Sequence, residues 1–178
     1  ETAAGYTTDR DGNEIRVYKG VPVVNHVDLT NSTLVNGQAT DLYKFTITAS
    51  GGDIAIKQLN LPFTFSDGLG SGDVDTMETL EIESMKLYKN GADISTSSTA
   101  VVLQTNSGRN AEGGDNASNG TAGLHEDIDS GLFIIWDTSE EVIAKGETVT
   151  YTLRGTPQGF NTDGDTGETD SVSIYLQG

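Results

Sequence analysis

The stretch DLYKFTITAS, residues 41–50, decides the fold class of this chain. Apolar side chains take every second position and polar side chains the positions between them: Tyr43, Phe45, Ile47 and Ala49 against Lys44, Thr46 and Thr48. A period of two places successive side chains on opposite faces of an extended backbone. The stretch therefore predicts a β-strand with one face in a hydrophobic core.

Similar patterns recur along the rest of the chain. Alternating or continuous apolar runs occupy residues 15–29, 54–65, 80–87, 100–104, 132–136, 149–153 and 172–176. Asn90-Gly91 signals a tight β-hairpin, because both turn residues must accept positive φ. No segment sustains a 3.6-residue period, and the best helix candidate, 138–144, allows one or two turns at most. We therefore expect an all-β, antiparallel β-sandwich, Ig-like or jelly-roll-like, with eight or nine strands.

Three irregularities interrupt the strand patterns. The apolar phase slips by one residue after Ile56 and again after Ile82, and a β-bulge would absorb each slip. Pro22 removes one ladder donor, which predicts an edge strand or a kink where the first strand changes sheets.

The core is expected to contain Phe45, Ile47, Leu61, Phe63, Trp136, Tyr151 and Ile174.

The length of 178 residues fits a single domain. Residues 1–14 are polar and predict an N-terminal arm, followed by one β-sandwich domain over residues 15–178. Residues 106–123 form a long Gly- and Asn-rich loop without apolar anchors, and such loops are usually functional or mobile. The chain has no cysteine, so core packing, backbone ladders or bound ions must hold the fold.

The net charge of the chain excludes some classes of binding partner. With 27 acidic and 10 basic residues the formal net charge is −17, which repels phosphate backbones and anionic lipid headgroups. Nucleic acid is therefore not expected as a partner. Membrane insertion is not expected either, because no apolar run approaches the roughly 20 residues needed to span a bilayer. Enrichment in Thr, Ser, Gly and Asn together with the acidic balance favours an extracellular or cell-surface location.

Carboxylates gathered around glycines suggest calcium ligation, since this ion takes six to eight oxygen ligands. Two groups are the favoured candidates: Asp163, Asp165, Glu168 and Asp170 in one loop, and Asp9, Asp11 and Glu14 in the arm. Further groups are Asp67, Asp73 and Asp75, and Glu126, Asp127 and Asp129. The alternative for every group is a solvated turn, where Asp and Gly are common for backbone reasons.

The sequence lacks nucleophile patterns, and its many acidic residues make any single pair of carboxylates uninformative about glycoside hydrolysis. The two histidines, His26 and His125, are far apart, no G-x-S-x-G nucleophile elbow occurs, and a cysteine nucleophile is missing. We therefore expect a protein that is not an enzyme. The aromatic residues lie within strand patterns, which favours core packing over a sugar-stacking platform.

Several stretches carry a resemblance to a known group of proteins: VYKGVPVV, TLVNGQATDLYKFTITASGGDIAIKQLNL, MKLYKNGADI, IAKGETVTYTLRG and SVSIYLQG. They are similar to secreted Ig-like β-sandwich surface modules of ultrasmall candidate-phyla bacteria, over most of residues 16–178. The resemblance implies an exported sandwich on a surface or filament, with no catalytic residues to carry over. The acidic arm and the loop 106–123 depart from it. A looser similarity, in architecture alone, is to extracellular filament subunits that donate a strand to a neighbour.

These observations lead to one expected function and one alternative. The chain has an arm before its first apolar strand and ends directly after a strand, so either terminal strand could add to a sheet edge of another copy. We expect a self-assembling extracellular filament subunit that uses strand exchange, with calcium bridging its acidic loops. The alternative is a calcium-dependent module that binds a carbohydrate or another ligand.

Overall fold

A computed structural model describes residues 19–68, 80–95, 101–108, 110–111, 123–127, 129–160 and 169–177. Within these residues the chain forms antiparallel strands and no helix, so none of them forms a helix long and apolar enough to cross a membrane. The strands are β1 (Val21–His26), β2 (Thr40–Ser50), β3 (Ile54–Ile56), β4 (Gln58–Ser66), β5 (Glu81–Lys89), β6 (Ala92–Asp93), β7 (Val101–Thr105), β8 (Leu124–His125), β9 (Gly131–Trp136), β10 (Glu141–Ile143), β11 (Thr148–Gln158) and β12 (Ser171–Ile174).

The strands form two principal sheets and one small sheet. The first sheet has the order β1-β2-β11-β5-β6, and β8 pairs with β5 beside β6. The second sheet has the order β12-β4-β9-β7, and β10 pairs with β3 in a two-stranded sheet. All described pairings are antiparallel. The predicted all-β, antiparallel β-sandwich is therefore confirmed, although the described strands number twelve rather than eight or nine.

The core lies between the two principal sheets. In the first sheet, Phe45 on β2 pairs with Tyr151 on β11, and their rings stack with centroids 5.3 Å apart. In the second sheet, Leu61 on β4 pairs with Leu132 on β9. All four side chains are fully buried. Of the expected core residues, Phe45, Ile47, Leu61, Phe63, Trp136 and Tyr151 are buried.

Ile174 is a correction to the expected core. It lies on β12, the edge strand of the second sheet, and it is half-buried rather than enclosed. An edge strand is covered by a neighbour on one side only, so its apolar side chains keep more exposure. The alternating pattern VSIYL identified the strand but not its place in the sheet.

Two irregularities follow the sequence prediction. The slip after Ile82 is a bulge in β5, where Ser84 has a φ of 48° and the register against β11 shifts between Arg154 and Thr156. The Asn90-Gly91 turn joins β5 to β6, with φ values of 49° and 85°. Positive φ at both positions is the signature of a type I′ hairpin, so the predicted tight turn is confirmed.

The slip after Ile56 has a different cause from the predicted bulge. β3 pairs with β10, whereas β4 joins the second sheet, so the chain changes sheets at Lys57. The ammonium group of Lys57 donates hydrogen bonds to the carbonyl oxygens of Trp136 and Asp137, and these bonds fix the change of direction. The phase change therefore marks a new sheet rather than an extra residue in one strand.

The best helix candidate, 138–144, contains a strand instead of a helical turn. Residues 141–143 form β10, with Val142 opposite Ala55. Ile143 is fully buried, and Glu141 forms an ion pair with Lys89 that ties this small sheet to β5. Tertiary contacts, which a local pattern cannot show, override the weak helical propensity of this short segment.

Candidate assembly edge and acidic groups

The β1 strand, VPVVNH, is attached to the first sheet but buries little of its side chains. It pairs with β2 over six residues, from Val21 opposite Ser50 to His26 opposite Phe45. Every one of its six residues is exposed. Pro22 lies within it, and β1 is an edge strand, as the missing N–H of proline predicts. The strand is thus attached through its backbone ladder, with little burial of its side chains.

Both faces of β1 present apolar side chains to solvent. Val21 and Val23 are 50% and 43% exposed on the outer face of the first sheet. Val24 points to the other face, since it pairs with the buried Ile47, yet it is also 43% exposed. The layer that covers Ile47 therefore ends before it reaches Val24. Exposed β-branched residues on an edge that is paired on one side only favour the addition of another strand.

The segment that joins β1 to β2 is held mainly at its far end. The side chain of Asn36 exchanges hydrogen bonds with the backbone of Phe160, with Nδ2 donating at 2.7 Å and Oδ1 accepting at 3.1 Å. The N–H of Gly37 donates to the carbonyl oxygen of Pro157 at 2.9 Å. Nearer β1, the N–H of Val27 donates to the carbonyl oxygen of Lys44. Residues 28–35 between these anchors carry one described internal bond, from the N–H of Thr33 to Asn31.

A cavity of about 350 Å³ lies beside this segment. It opens between residues 29–34, the start of β2 and residues 169–172 at the start of β12. Leu42 is 8% exposed, and Leu34 and Val172 pack against the core. Asp41 and Asp170 also line the cavity, together with Leu29 and four hydroxyl side chains: Ser32, Thr33, Thr169 and Ser171.

Only one of the favoured calcium ligands falls within the described residues. Asp170 accepts a hydrogen bond from the N–H of Gly68 at 3.0 Å, which ties the start of β12 to the end of β4. The other six, Asp163, Asp165, Glu168, Asp9, Asp11 and Glu14, lie outside the described residues, as do Asp73 and Asp75. Among the residues that the structure describes, no group of three or more His, Asp or Glu side chains is placed to hold a metal ion.

The remaining acidic group, at residues 126–129, organises a turn. Asp129 is 5% exposed and accepts hydrogen bonds from the hydroxyl of Ser107 at 2.8 Å and the N–H of His125 at 3.0 Å. Glu126 accepts a bond from the N–H of Leu80 at 2.9 Å. Burial raises the pKa of the Glu126 carboxyl despite that bond, and Asp127 raises it further. These carboxylates serve as local acceptors in the described structure.

The two histidines are placed apart, each beside a carboxylate. Nε2 of His125 lies 2.9 Å from Glu81, and both side chains are largely buried. Nδ1 of His26 lies 3.6 Å from Asp28 at the exposed end of β1. Neither described pair includes a serine hydroxyl, so neither forms the constellation of a hydrolase triad.

Most of the aromatic side chains belong to the core, as the strand patterns predicted. Phe45, Phe63, Trp136 and Tyr151 are buried, and Tyr43 and Phe65 pack partly buried against them. Tyr175, 53% exposed beyond the end of β12, is an exposed aromatic residue that the sequence analysis did not single out. The alternation of Val172, Ile174 and Leu176 was the available signal, because it places Tyr175 on the opposite face.

Comparisons with known proteins leave the family open. No protein-family model matches the chain, and no curated protein matches it. A solved structure described as "AvmM Catalyzes Macrocyclization in Alchivemycin A Biosynthesis" is similar with a TM-score of 0.32 and 11% sequence identity, covering 88% of each chain. A likeness this weak carries no argument about function.

Proposed function

We propose that this chain is a non-enzymatic extracellular structural protein that assembles into filaments by exchanging β1 between copies. The observation that carries the proposal is that all six residues of β1 are exposed at an open sheet edge. Secreted Ig-like surface modules, which the sequence resembles, supply the expected setting. The lack of cysteine and the separation of the two histidines support a role without catalysis.

The energetics of exchange favour β1 over the other strands. Moving β1 from its own β2 to the β2 of a neighbour breaks and remakes the same ladder, and exposes little apolar core. Residues 28–35 can act as the hinge, because eight extended residues span at most about 26–29 Å and the Asn36 anchor keeps the rest of the connection in place. Exchange of an identical element is a low-cost route to oligomers, and a heterologous contact that does not close produces a filament.

Charge is the main obstacle to such an assembly. Copies that each carry −17 repel one another, and monovalent salt only screens that repulsion. A divalent cation that bridges carboxylates would remove it and fix the loops at the same time. We therefore assign calcium to the acidic loops, with Asp163, Asp165, Glu168 and Asp170 as the first candidates and Asp9, Asp11 and Glu14 as the second.

The absence of cysteine permits a direct test of exchange. Val23 and Thr48 face each other across β1 and β2, so the double variant Val23→Cys/Thr48→Cys should link separate copies when oxidised or bridged under assembly conditions. The matched control is Thr48→Cys/Thr148→Cys across β2 and β11, where the two native hydroxyl oxygens are 2.7 Å apart. This pair must link within one copy. A ladder of linked oligomers is expected for the first pair and monomer for the control on a non-reducing gel.

The same gel can contradict the proposal. Filaments visible by electron microscopy while both pairs yield monomer would show that assembly does not use β1. The absence of any ordered polymer, with or without calcium, would refute the filament itself.

Calcium is tested separately by melting the protein in chelator and in millimolar calcium at matched ionic strength. Binding to the native state alone stabilises by about 2.7 kcal/mol at one hundred times the dissociation constant. Identical melting curves and identical light scattering in the two conditions would remove calcium from the proposal while leaving strand exchange intact.

A calcium-dependent carbohydrate- or ligand-binding module is the alternative. The exposed ring of Tyr175 is the observation that favours it, since sugars stack on exposed aromatic faces. Binding on a glycan array that is lost in Tyr175→Ala, together with a monomeric protein, would favour this alternative.

A further inference from the structure

The apolar part of the lining of the cavity beside residues 29–34, named its floor, consists of Leu29, Leu34, Leu42 and Val172. Leu42 is 8% exposed, and Leu34 and Val172 are half-buried against the core. Its volume of about 350 Å³ lies at the lower end of the range for small-ligand sites. A floor of branched aliphatic side chains suits a small aliphatic group, because burying one methylene contributes about 0.8 kcal/mol.

The polar side chains around the floor have one chemical character. Two are carboxylates, Asp41 and Asp170, and the other four are hydroxyls. None of the described residues that line the cavity carries a cationic or amide side chain. A carboxylate only accepts hydrogen bonds, and a hydroxyl can accept as well as donate. A ligand must therefore bring the donors, and the carboxylates disfavour an anion.

The two carboxylates are held in place by the fold. Asp170 is oriented by the N–H of Gly68 at 3.0 Å. Asp41 lies 3.5 Å from the guanidinium Nε of Arg154 on the neighbouring strand, a separation longer than a close ion pair. Its side chain remains 49% exposed and lines the cavity.

From this arrangement we propose that the cavity binds an organic cation, an ammonium group on a small aliphatic body. The aliphatic part packs on Leu34, Leu42 and Val172, and the ammonium group donates to Asp41 and Asp170. A charge of −17 on the chain raises the local concentration of cations around it. The site shares Asp170 with the first group of calcium candidates and residues 29–34 with the proposed hinge, so binding is tested on the calcium-free protein.

Two other ligand classes fit less well. A bare divalent cation wants six or more oxygen ligands around one point, and the described residues place no group of three or more candidate side chains for a metal. A neutral alcohol of the same shape fills the floor equally, but it brings one donor and no positive charge to the two carboxylates, whereas an ammonium group brings three donors and the opposite charge.

The test is calorimetric titration of the full chain with pentylammonium and with 1-pentanol, its neutral counterpart. Pentylammonium should bind about ten-fold more tightly, since a hydrogen bond to a charged group contributes enough for a factor of that size. Amide resonances of residues 29–34, 41–42 and 169–172 should shift in a nuclear magnetic resonance titration. Equal binding of both probes, or shifts centred elsewhere, would overturn the proposal.

Single-residue variants test whether the carboxylate of Asp170 binds the ammonium group. Asp170→Asn keeps an oxygen that can accept from Gly68 and should weaken pentylammonium binding about ten-fold. Asp28→Asn is the matched control, because Asp28 is fully exposed and does not line the cavity, and it should bind like the original chain. If Asp170→Asn does not fold, Ser171→Ala tests the same polar lining and should weaken binding about three-fold. Unchanged affinity in a folded cavity variant would contradict the assignment.

Discussion

The two edges of the first sheet are built in opposite ways. At one edge, β1 offers six residues that are all exposed, paired with β2 on one side. At the other edge, β5 is covered along its length by short pieces of chain. β8 pairs with its start, the N–H of Met85 donates to the carbonyl oxygen of Ala111, and β6 pairs with its end.

Charged and capping groups reinforce the covered edge. Lys86 forms an ion pair with Asp93 at 3.1 Å, and the N–H of Leu87 donates to the buried hydroxyl of Ser95. Very short strands, a bulge, charges and proline are the usual means of preventing a sheet edge from pairing with another chain. The first three occur at β5, whereas β1 has only the proline, Pro22. This contrast supports the proposal that β1 is the edge reserved for assembly.

The largest expected difference between the edges is in stability. Leu124 on β8 is fully buried, so Leu124→Ala should lower the free energy of unfolding by about 2–5 kcal/mol. Val24→Ala on β1 should lower it by less than about 1 kcal/mol, because a half-exposed strand residue contributes on that scale. Chemical denaturation of the dilute, calcium-free protein measures both. Similar losses would mean that β1 is as firmly packed as the covered edge.

The hairpin turn at the covered edge should give the next largest effect. Gly91 has a φ of 85°, and no atom lies within 4 Å of an added Cβ. Gly91→Ala should therefore cost about 1–2 kcal/mol through backbone strain alone. Gly91→Asn is the matched control and should cost less, since asparagine tolerates this conformation. Equal losses in the two variants would show that the turn is not what limits this edge.

The sequence predicted where strands and bulges lie better than it predicted which parts of the chain pack around them. Alternation in residues 41–50 identified β2, and the phase slip after Ile82 identified the bulge in β5. Both signals are local, because the position of each side chain relative to the sheet depends on its immediate neighbours. Even so, Leu42 is buried and Tyr43 only half-buried at the start of β2, since the register against β11 shifts there.

Apart from Pro22 in β1, the sequence did not show which strands lie at an edge. VPVVNH is as apolar as many core strands, and the exposure of its side chains depends on where the second sheet ends. Likewise, β3 and β4 are separated by a change of partner at Lys57 that is set by distant carbonyl oxygens. For the candidate site, Pro22 was the one residue that indicated an edge. The cavity between residues 29–34 and β12 joins segments more than 130 positions apart and left no sequence signal.

The smallest expected effect is a pH dependence at the covered edge. Burial alone would raise the pKa of Asp93, but hydrogen bonds from the N–H and hydroxyl of Ser95 and from Lys86 outweigh it, and the pKa falls below the ordinary value of 3.8. A carboxyl whose pKa is lower in the folded state stabilises the fold above its unfolded pKa, and this contribution disappears as pH falls through the folded pKa. Asp93→Asn should therefore cost less than about 1 kcal/mol at neutral pH. The free energy of unfolding of this variant should also fall less steeply below about pH 4 than that of the original chain.

Asp28→Asn, at the exposed end of β1, is the control and should lose stability in acid as the original chain does. If thermal melts show the same acid loss in Asp93→Asn as in the original chain, the carboxylate does not stabilise the covered edge, and its protection rests on the short strands and the bulge.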